Sequence, residues 1–454
     1  MKKSAWLWLV IVWLGSFSPA FAGKTPYQWD LNKDGQWLLK LGAQFFVRPE
    51  AQGNRSDLKE DREDRDFYIA TRLRLTLDFQ MMKSFGLHVT LQDARYWGNG
   101  IPTGGKVRFS TQRNSLFQRE IYLGMSFHES YLYLEFLQKR LRLEVGRIRL
   151  FYGDAFVLGD PGYFPQGQSF DTLRLRWKMT SAWHMDVMWF RVRESVAVAQ
   201  PECTGSCFFE GDDVLSVYVQ SRGSRVLQLD FYAFYVKRAP RNTKVLEETN
   251  LGYLGMRLKV KRSWFLFSLE PILQVGRDQE KDATAFALRM FGRLKWAAPL
   301  RPFVQLQLLL ASGDSDPSDE SNNQFQPLFN NRRRFYGMVN LLGLSNLIQP
   351  TLAVGFWPHR KIKVMLDGRY SLRFVPKGAN ITGGSHGVFV QDLTGQSGLG
   401  LGWEVDARVV WKLSKLLTAD AAGGVFVPVN ELGGPRLLGN SPAWMMYVRL
   451  FLKL

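Results

Sequence analysis

From about residue 36 onward the chain repeats one pattern: short runs in which apolar and polar side chains alternate one by one. Side chains on an extended strand point to opposite faces in turn, so each run has one apolar and one polar face. The clearest run is 66–80. Phe67, Ile69, Leu73, Leu75, Leu77 and Phe79 share one side, and Tyr68, Arg72, Arg74, Thr76 and Asp78 the other. In 170–179, Leu173, Leu175, Trp177 and Met179 alternate with Arg174, Arg176 and Lys178. The same alternation predicts strands over 36–48, 85–96, 130–136, 141–149, 182–192, 213–221, 225–236, 250–261, 264–276, 283–292, 302–312, 347–357, 361–374, 400–412, 416–427 and 443–454.

These are 18 predicted strands, and their spacing has a rhythm. A short turn follows each even strand (MMKS, LQKR, TSA, SRGS, KRS, WAAPLRP, PHRK) and a longer connection each odd one, provided 313–346 is a single external loop. An even number of roughly ten-residue alternating strands, with short periplasmic turns and long extracellular loops, is the pattern of a bacterial outer-membrane barrel. A spanning sheet must also close on itself, because hydrocarbon offers no water to a free strand edge. The expected fold class is therefore all-β: a single antiparallel transmembrane β-barrel, wide enough for an aqueous lumen rather than a side-chain core.

Residues 1–22 read differently. Lys2 and Lys3, the apolar run Ala5–Phe17 and the Ala20-Phe21-Ala22 cleavage signal form a secretory signal peptide, leaving 23–454 as one barrel domain. No Ser/Pro-rich hinge divides that domain, and the longest charge block is Asp57–Asp66. Hydrophobic residues make up 46% of the chain and 15 residues are Trp, many of them near strand ends, as an interfacial aromatic girdle requires.

Charge adds the candidate chemistry. The formal net charge is +18. On the faces opposite the apolar ones, Lys40, Arg72, Arg74, Arg142, Arg174, Arg176, Arg257, Lys259, Lys363, Arg369, Arg408, Lys412 and Arg449 outnumber the acids Asp78, Glu144, Asp186, Asp230, Glu270, Asp367, Glu404 and Asp406. A wet tube with such a wall attracts anions. A single exposed contact at 4 Å is worth only about 1 kcal/mol, weak enough for release from one Arg to the next. Export argues against nucleic acid as the partner of this charge. The five histidines form no spaced pair and no Ser/His or Asp/His cluster, so no enzyme is expected. A soluble secreted polyanion-binding sheet is the remaining class; it would leave the membrane without detergent.

Cys203 and Cys207 in ECTGSC are read as a disulfide closing a tight loop, with free thiols or a metal as alternatives. No metal site and no cofactor are expected. Asp30-Leu-Asn32-Lys-Asp34-Gly35 lacks the closing Glu of a calcium loop and reads as a turn. Asp314, Asp316, Asp319 and Glu320 leave calcium in the outer loops as an option.

Several motifs, in order along most of the chain, resemble the alginate export family of outer-membrane porins: LQDARYWGNG (Leu91–Gly100), LEVGRIRLFYGDAFVLG (Leu143–Gly159), QSFDTLRLRW (Gln168–Trp177), ASGDSDPSDE with PLFNNRRRFYGM (Ala311–Met338) and GLGWEVDARVVWKL (Gly400–Leu413). The resemblance implies an 18-stranded barrel with an Arg-lined constriction, passive export of an alginate-like polyuronate, and gating by loops and periplasmic turns. Carried over by motif, Asp93, Arg95, Arg147, Asp154, Asp171, Arg174, Glu404, Asp406 and Arg408 lie near the constriction; Arg72, Arg74, Arg176 and Arg369 join them as pore-lining candidates. The leading expectation is an anion-selective porin for negatively charged saccharides, with a general porin for small organic anions as the alternative. The partners expected are outer-membrane lipid and lipopolysaccharide, the anionic solute and periplasmic export machinery, with the barrel a monomer in the bacterial cell outer membrane.

Overall fold

A computed structural model describes residues 28–31, 36–54, 65–99, 124–160, 162–192, 212–221, 223–238, 248–329, 332–380, 390–392, 394–429 and 441–454. The signal-peptide reading, the calcium-like turn at 32–35 and the Cys203–Cys207 loop lie outside these residues.

Eighteen antiparallel strands form one closed wall. The first six are β1 (Leu38–Gly53), β2 (Asp66–Met81), β3 (Phe85–Asn99), β4 (Gly124–Phe136), β5 (Leu141–Ile148) and β6 (Phe170–Lys178). The next six are β7 (Trp183–Val192), β8 (Asp212–Ser221), β9 (Leu227–Arg238), β10 (Thr249–Lys261), β11 (Phe265–Asp278) and β12 (Lys281–Lys295). The last six are β13 (Phe303–Ala311), β14 (Leu347–His359), β15 (Ile362–Leu372), β16 (Gly400–Lys412), β17 (Leu417–Pro428) and β18 (Ala443–Lys453). Each pairs with the next, and β18 pairs with β1 from Gln44↔Lys453 to Gly53↔Trp444, which removes the edge. The β1–β18 ladder skips Arg48 and Pro49, where proline has no N–H to donate.

The alternation read from sequence sets the faces. Along β2, Leu73 and Leu75 are exposed on the outside while Ala70, Arg72 and Arg74 are buried on the inside. Hydrocarbon covers the outer face in the membrane, so its apolar side chains need no protein partner. The turn after β2 holds Met82 and Lys83 at φ 52° and 58°. Two consecutive left-handed residues match the strands' own twist, so the hairpin stays tight.

Three boundaries differ from the sequence reading. β1 continues past Arg48 to Gly53 because Arg48 and Glu50 are inward-facing, buried and bonded rather than solvated. β4 starts at Gly124, with Met125 and Phe127 outward. β11 and β12 extend until only Gln279 and Glu280 separate them, so this connection is a tight turn.

A larger difference concerns the interior. The 312–346 connection does join β13 to β14, as the strand count requires, but it folds into the barrel rather than standing outside. It carries a four-residue helix, α1 (Arg332–Phe335), and a two-residue strand, Ser321–Asn322, parallel to Asp282–Ala283. The expectation of a lumen without a side-chain core is therefore corrected at this level. Phe156, Leu158, Phe325, Phe329 and Phe335 form one buried cluster with inward wall residues such as Phe190, Tyr218 and Tyr253.

Candidate functional site: a cationic wall behind two inward loops

Two connections build the constriction: 149–169, between β5 and β6, and 312–346. They bind each other by backbone bonds, Gly159 N–H to the Phe329 carbonyl at 2.8 Å and Phe329 N–H to that of Val157 at 3.0 Å. Their apolar side chains bury against each other and the wall, a non-directional drive that pulls both loops inward. Polar anchors then fix where each loop sits.

The 149–169 loop touches the wall on well-separated strands. Tyr152 donates to Asp186 of β7 at 2.6 Å and accepts from Arg174 of β6 at 3.2 Å. Asp154 meets three cations: Lys259 Nζ at 2.7 Å, Arg289 Nη1 at 3.3 Å and Arg257 Nη1 at 3.6 Å. Burial pushes the Asp154 carboxyl up, but Lys259, Arg289 and Arg257 outweigh it and hold it at about 2. Gln166 offers its carbonyl to Gln92 of β3 at 3.0 Å. The Tyr163 ring lies between two guanidinium groups, Arg48 and Arg333, each with its carbon 3.6 Å from the ring centre. The Tyr163 hydroxyl donates to Glu50, which also pairs with Arg48 at 3.1 Å. Arg333 belongs to α1, so this stack clamps both loops to β1 at one point.

The 312–346 loop docks by its backbone. The N–H of Met338 donates to Asp406 at 3.0 Å and that of Val339 to Glu404 at 2.9 Å. Arg369 of β15 completes this group with a contact to Asp406 at 2.8 Å and another to Asp367. Glu404 and Asp406 therefore hold a loop in place.

What remains facing the lumen is cationic. Arg72 is only 6% exposed and makes no ion pair among the described residues; the acid that acts on it, Asp160, is the one that Arg74 and Arg149 also use. Its Nη1 makes no hydrogen bond, and its guanidinium lies over the Phe46 ring at 4.7 Å. Arg74 and Arg149 share one acid, Asp160, at 4.0 and 3.5 Å. Elsewhere on the inner wall, Arg408 and Arg449 share Asp420 at 3.0 and 2.7 Å. Lys363 Nζ lies over the Phe303 ring at 4.8 Å. A buried guanidinium that lacks a counterion costs free energy, and a passing anion offsets that cost.

Of the sequence-derived candidates, Arg72, Arg74, Arg174, Arg176, Arg369, Glu404, Asp406 and Arg408 face inward, and Asp154 is delivered to the same interior by its loop. Four do not. Asp93, Arg95, Arg147 and Asp171 lie on the outward parity, Asp93 opposite the exposed Leu73 and Met125. Arg95 pairs with Asp93 at 2.9 Å and Arg147 with Asp171 at 3.4 Å. Arg147, Asp171, Arg191, Asp213 and Lys237 occupy matching register positions on five neighbouring strands, an alternating charge belt on the outer surface. Placing these residues at the constriction is corrected: strand parity turns them away from it.

Sequence reading missed Glu50, Tyr163, Arg289 and Arg333 as parts of the site. Arg289 sits at an inward position of β12 and was legible by parity; Tyr163 and Arg333 carry no periodic signal. Of the acidic residues at 314–320, Asp316 bonds Ser318 and pairs with Lys377 at 3.6 Å, and Asp319 bonds Ser321. Among the described residues no group of three or more potential metal ligands converges.

Comparison with known proteins agrees with the barrel fold. A family model described as alginate export matches residues 37–433. No curated protein matches in sequence. Solved structures share the fold at low identity. Pseudomonas aeruginosa OpdK with vanillate aligns at TM-score 0.54 and 12% identity, over 91% of this chain and 98% of that one. P. aeruginosa OccK2 (OpdF) in complex with glucuronate aligns at 0.55 and 10%, over 94% and 97%. Acinetobacter baumannii OccAB1 aligns at 0.57 and 8%, over 92% and 97%.

Proposed function

The chain belongs to the alginate export family and is a porin of the bacterial outer membrane, and from that premise we propose that it gives negatively charged saccharides passive passage, selecting anions over cations. One observation carries this reading: Arg72, buried on the lumen wall without an ion pair among the described residues, stands beside Arg74 and Arg149, and the single acid Asp160 serves all three. A wall fully neutralised by its own acids would have no use for a mobile anion; this one leaves charge for the solute. Uronates suit it because each sugar offers one carboxylate to a guanidinium and hydroxyls to the amide and phenol groups around it. Long polyuronates need the two inward loops to move aside, since those loops fill the bore with packed side chains.

That filled bore favours a second reading, passage of single small carboxylates. Two of the similar solved structures, OpdK and OccK2, are complexes with vanillate and glucuronate, both monomeric acids.

Reversal potentials across planar bilayers under a salt gradient test the proposal. Anion preference is expected, and Arg72→Gln is expected to lower the anion-to-cation ratio about fivefold, the equivalent of about 1 kcal/mol. Cation preference in the unaltered protein refutes it. Current block by glucuronate against block by longer oligouronates separates the two solute classes.

A further inference from the structure

The three cations around Asp154 come from separate positions on the wall, Arg257 and Lys259 on β10 and Arg289 on β12, and they converge on a carboxylate that belongs to a loop. We propose that Arg257, Lys259 and Arg289 form a carboxylate-binding site for the transported solute, and that the chain's own Asp154 fills it when the channel is closed.

Three observations support this assignment. First, the loop is shaped to deliver the carboxylate. Asp154 stands between Gly153 at φ 57° and Ala155 at φ 66°, a left-handed residue on either side of it. For alanine such a backbone is costly, and it persists only where the surroundings hold it. A side chain at Gly153 would press on Arg257 Nε and the Tyr218 hydroxyl, both 3.0 Å from where its Cβ would stand. The loop backbone therefore comes right up against the wall to seat one aspartate.

Second, the site is only partly satisfied by Asp154. Arg257 is 5% exposed, and its Nη1 makes no hydrogen bond among the described residues although it points at Asp154 from 3.6 Å. Arg257 also holds Asp230 at 2.5 Å, so its charge is shared while one donor stays idle. A ligand with a carboxylate and adjacent hydroxyls, as in a uronate, would engage that donor as well as Lys259 and Arg289.

Third, the site is also where the two loops meet the wall. Arg289, besides contacting Asp154, lies over the Phe335 ring of α1 at 5.0 Å. Replacing Asp154 by a free carboxylate detaches the 149–169 loop and loosens the 312–346 loop packed on it. Without a replacement anion, withdrawal of Asp154 leaves Lys259 and Arg289 without an ion pair among the described residues and Arg257 with Asp230 alone, so the loop stays until a solute of like chemistry arrives. Binding and opening are then one exchange equilibrium.

This inference rests on the porin reading, because it needs a carboxylate solute in the lumen. The test uses reconstituted full-length barrels and glucuronate as the probe, with glucose as the neutral control. In Asp154→Asn the internal competitor is gone. The glucuronate concentration that half-blocks the current is expected to fall about tenfold or more, as when a competing closed state held at least nine-tenths of the population. Lys259→Gln in the Asp154→Asn background is expected to reverse most of that gain. Glucose block should not change in either variant. An unchanged or raised half-blocking concentration in Asp154→Asn, with the barrel folded by its heat-shifted gel mobility, overturns the inference. Retention of the full gain after Lys259→Gln does so too. Neither result touches anion selectivity, which the reversal potential of the unaltered channel reads separately. If Asp154→Asn fails to fold, Asp154→Glu serves: its longer arm reaches the site imperfectly, and an intermediate fall is expected, whereas no fall overturns the inference.

Discussion

Replacing Gly337 by alanine should open the channel while leaving its wall intact. Gly337 holds φ 110°, where alanine is strained by about 1–3 kcal/mol. Its α-carbon also passes so close to Glu404 and Arg369 that an added methyl has no room. Both groups are held by neighbours, Arg369 by Asp406 and Asp367 and Glu404 by Asp406, so the loop must give way instead. Retreat of the loop breaks the bonds from Met338 to Asp406 and from Val339 to Glu404. A hydrogen bond to a charged group is worth about 1.5–3 kcal/mol and one to a neutral group about 0.5–1.5 kcal/mol. Together these effects shift the docked state by about 4 kcal/mol, on the order of a thousandfold in the ratio of docked to released loop. Two assays read this. Single-channel recordings should show larger or longer openings than the unaltered protein, and trypsin should cut at Arg332–Arg334 once α1 leaves the lumen. The strand ladders do not involve Gly337, so heat-shifted gel mobility should match the unaltered barrel. Folded G337A barrels with unaltered currents and uncut loops would refute the claim that this contact docks the 312–346 segment.

Two further predictions follow from the charge geometry. Asp154 is depressed from an ordinary value near 4 to about 2, so its tether is complete above about pH 4 and is lost as pH falls toward 2. The shift corresponds to about 2 kcal/mol, and currents should rise across that window in the unaltered protein and stay flatter in Asp154→Asn. Arg147→Ala and Arg95→Ala remove outward, half-exposed partners worth about 0–1 kcal/mol. Reversal potentials of both variants should equal that of the unaltered channel, and a loss of anion preference would show that these residues face the lumen after all.

The strand count and the inside and outside of nearly every strand were legible without coordinates. Lipid imposes that pattern locally: each outward position must be apolar whatever the rest of the chain does. The same rule, followed strictly, also places Arg147 with Leu143 and Val145, and Asp171 with Leu173, on the outer face. Motif likeness to a family pulled these residues toward the pore, and parity was the better guide. The inward Arg72, Arg74, Arg174, Arg176, Arg369 and Arg408 follow from parity alone.

The sequence by itself determined that this chain closes into a membrane barrel with a basic interior, because period-two alternation is a property of each strand separately. Only the tertiary structure decided that two of its connections turn inward, that Glu404 and Asp406 serve as loop anchors, and that Asp154 meets Arg257, Lys259 and Arg289. Those contacts join residues more than 60 positions apart, such as Asp154 with Lys259 and Val339 with Glu404. Where a loop settles depends on a balance of buried area and ion pairs that no local pattern encodes, so the gate becomes visible only once the barrel has brought its distant strands together.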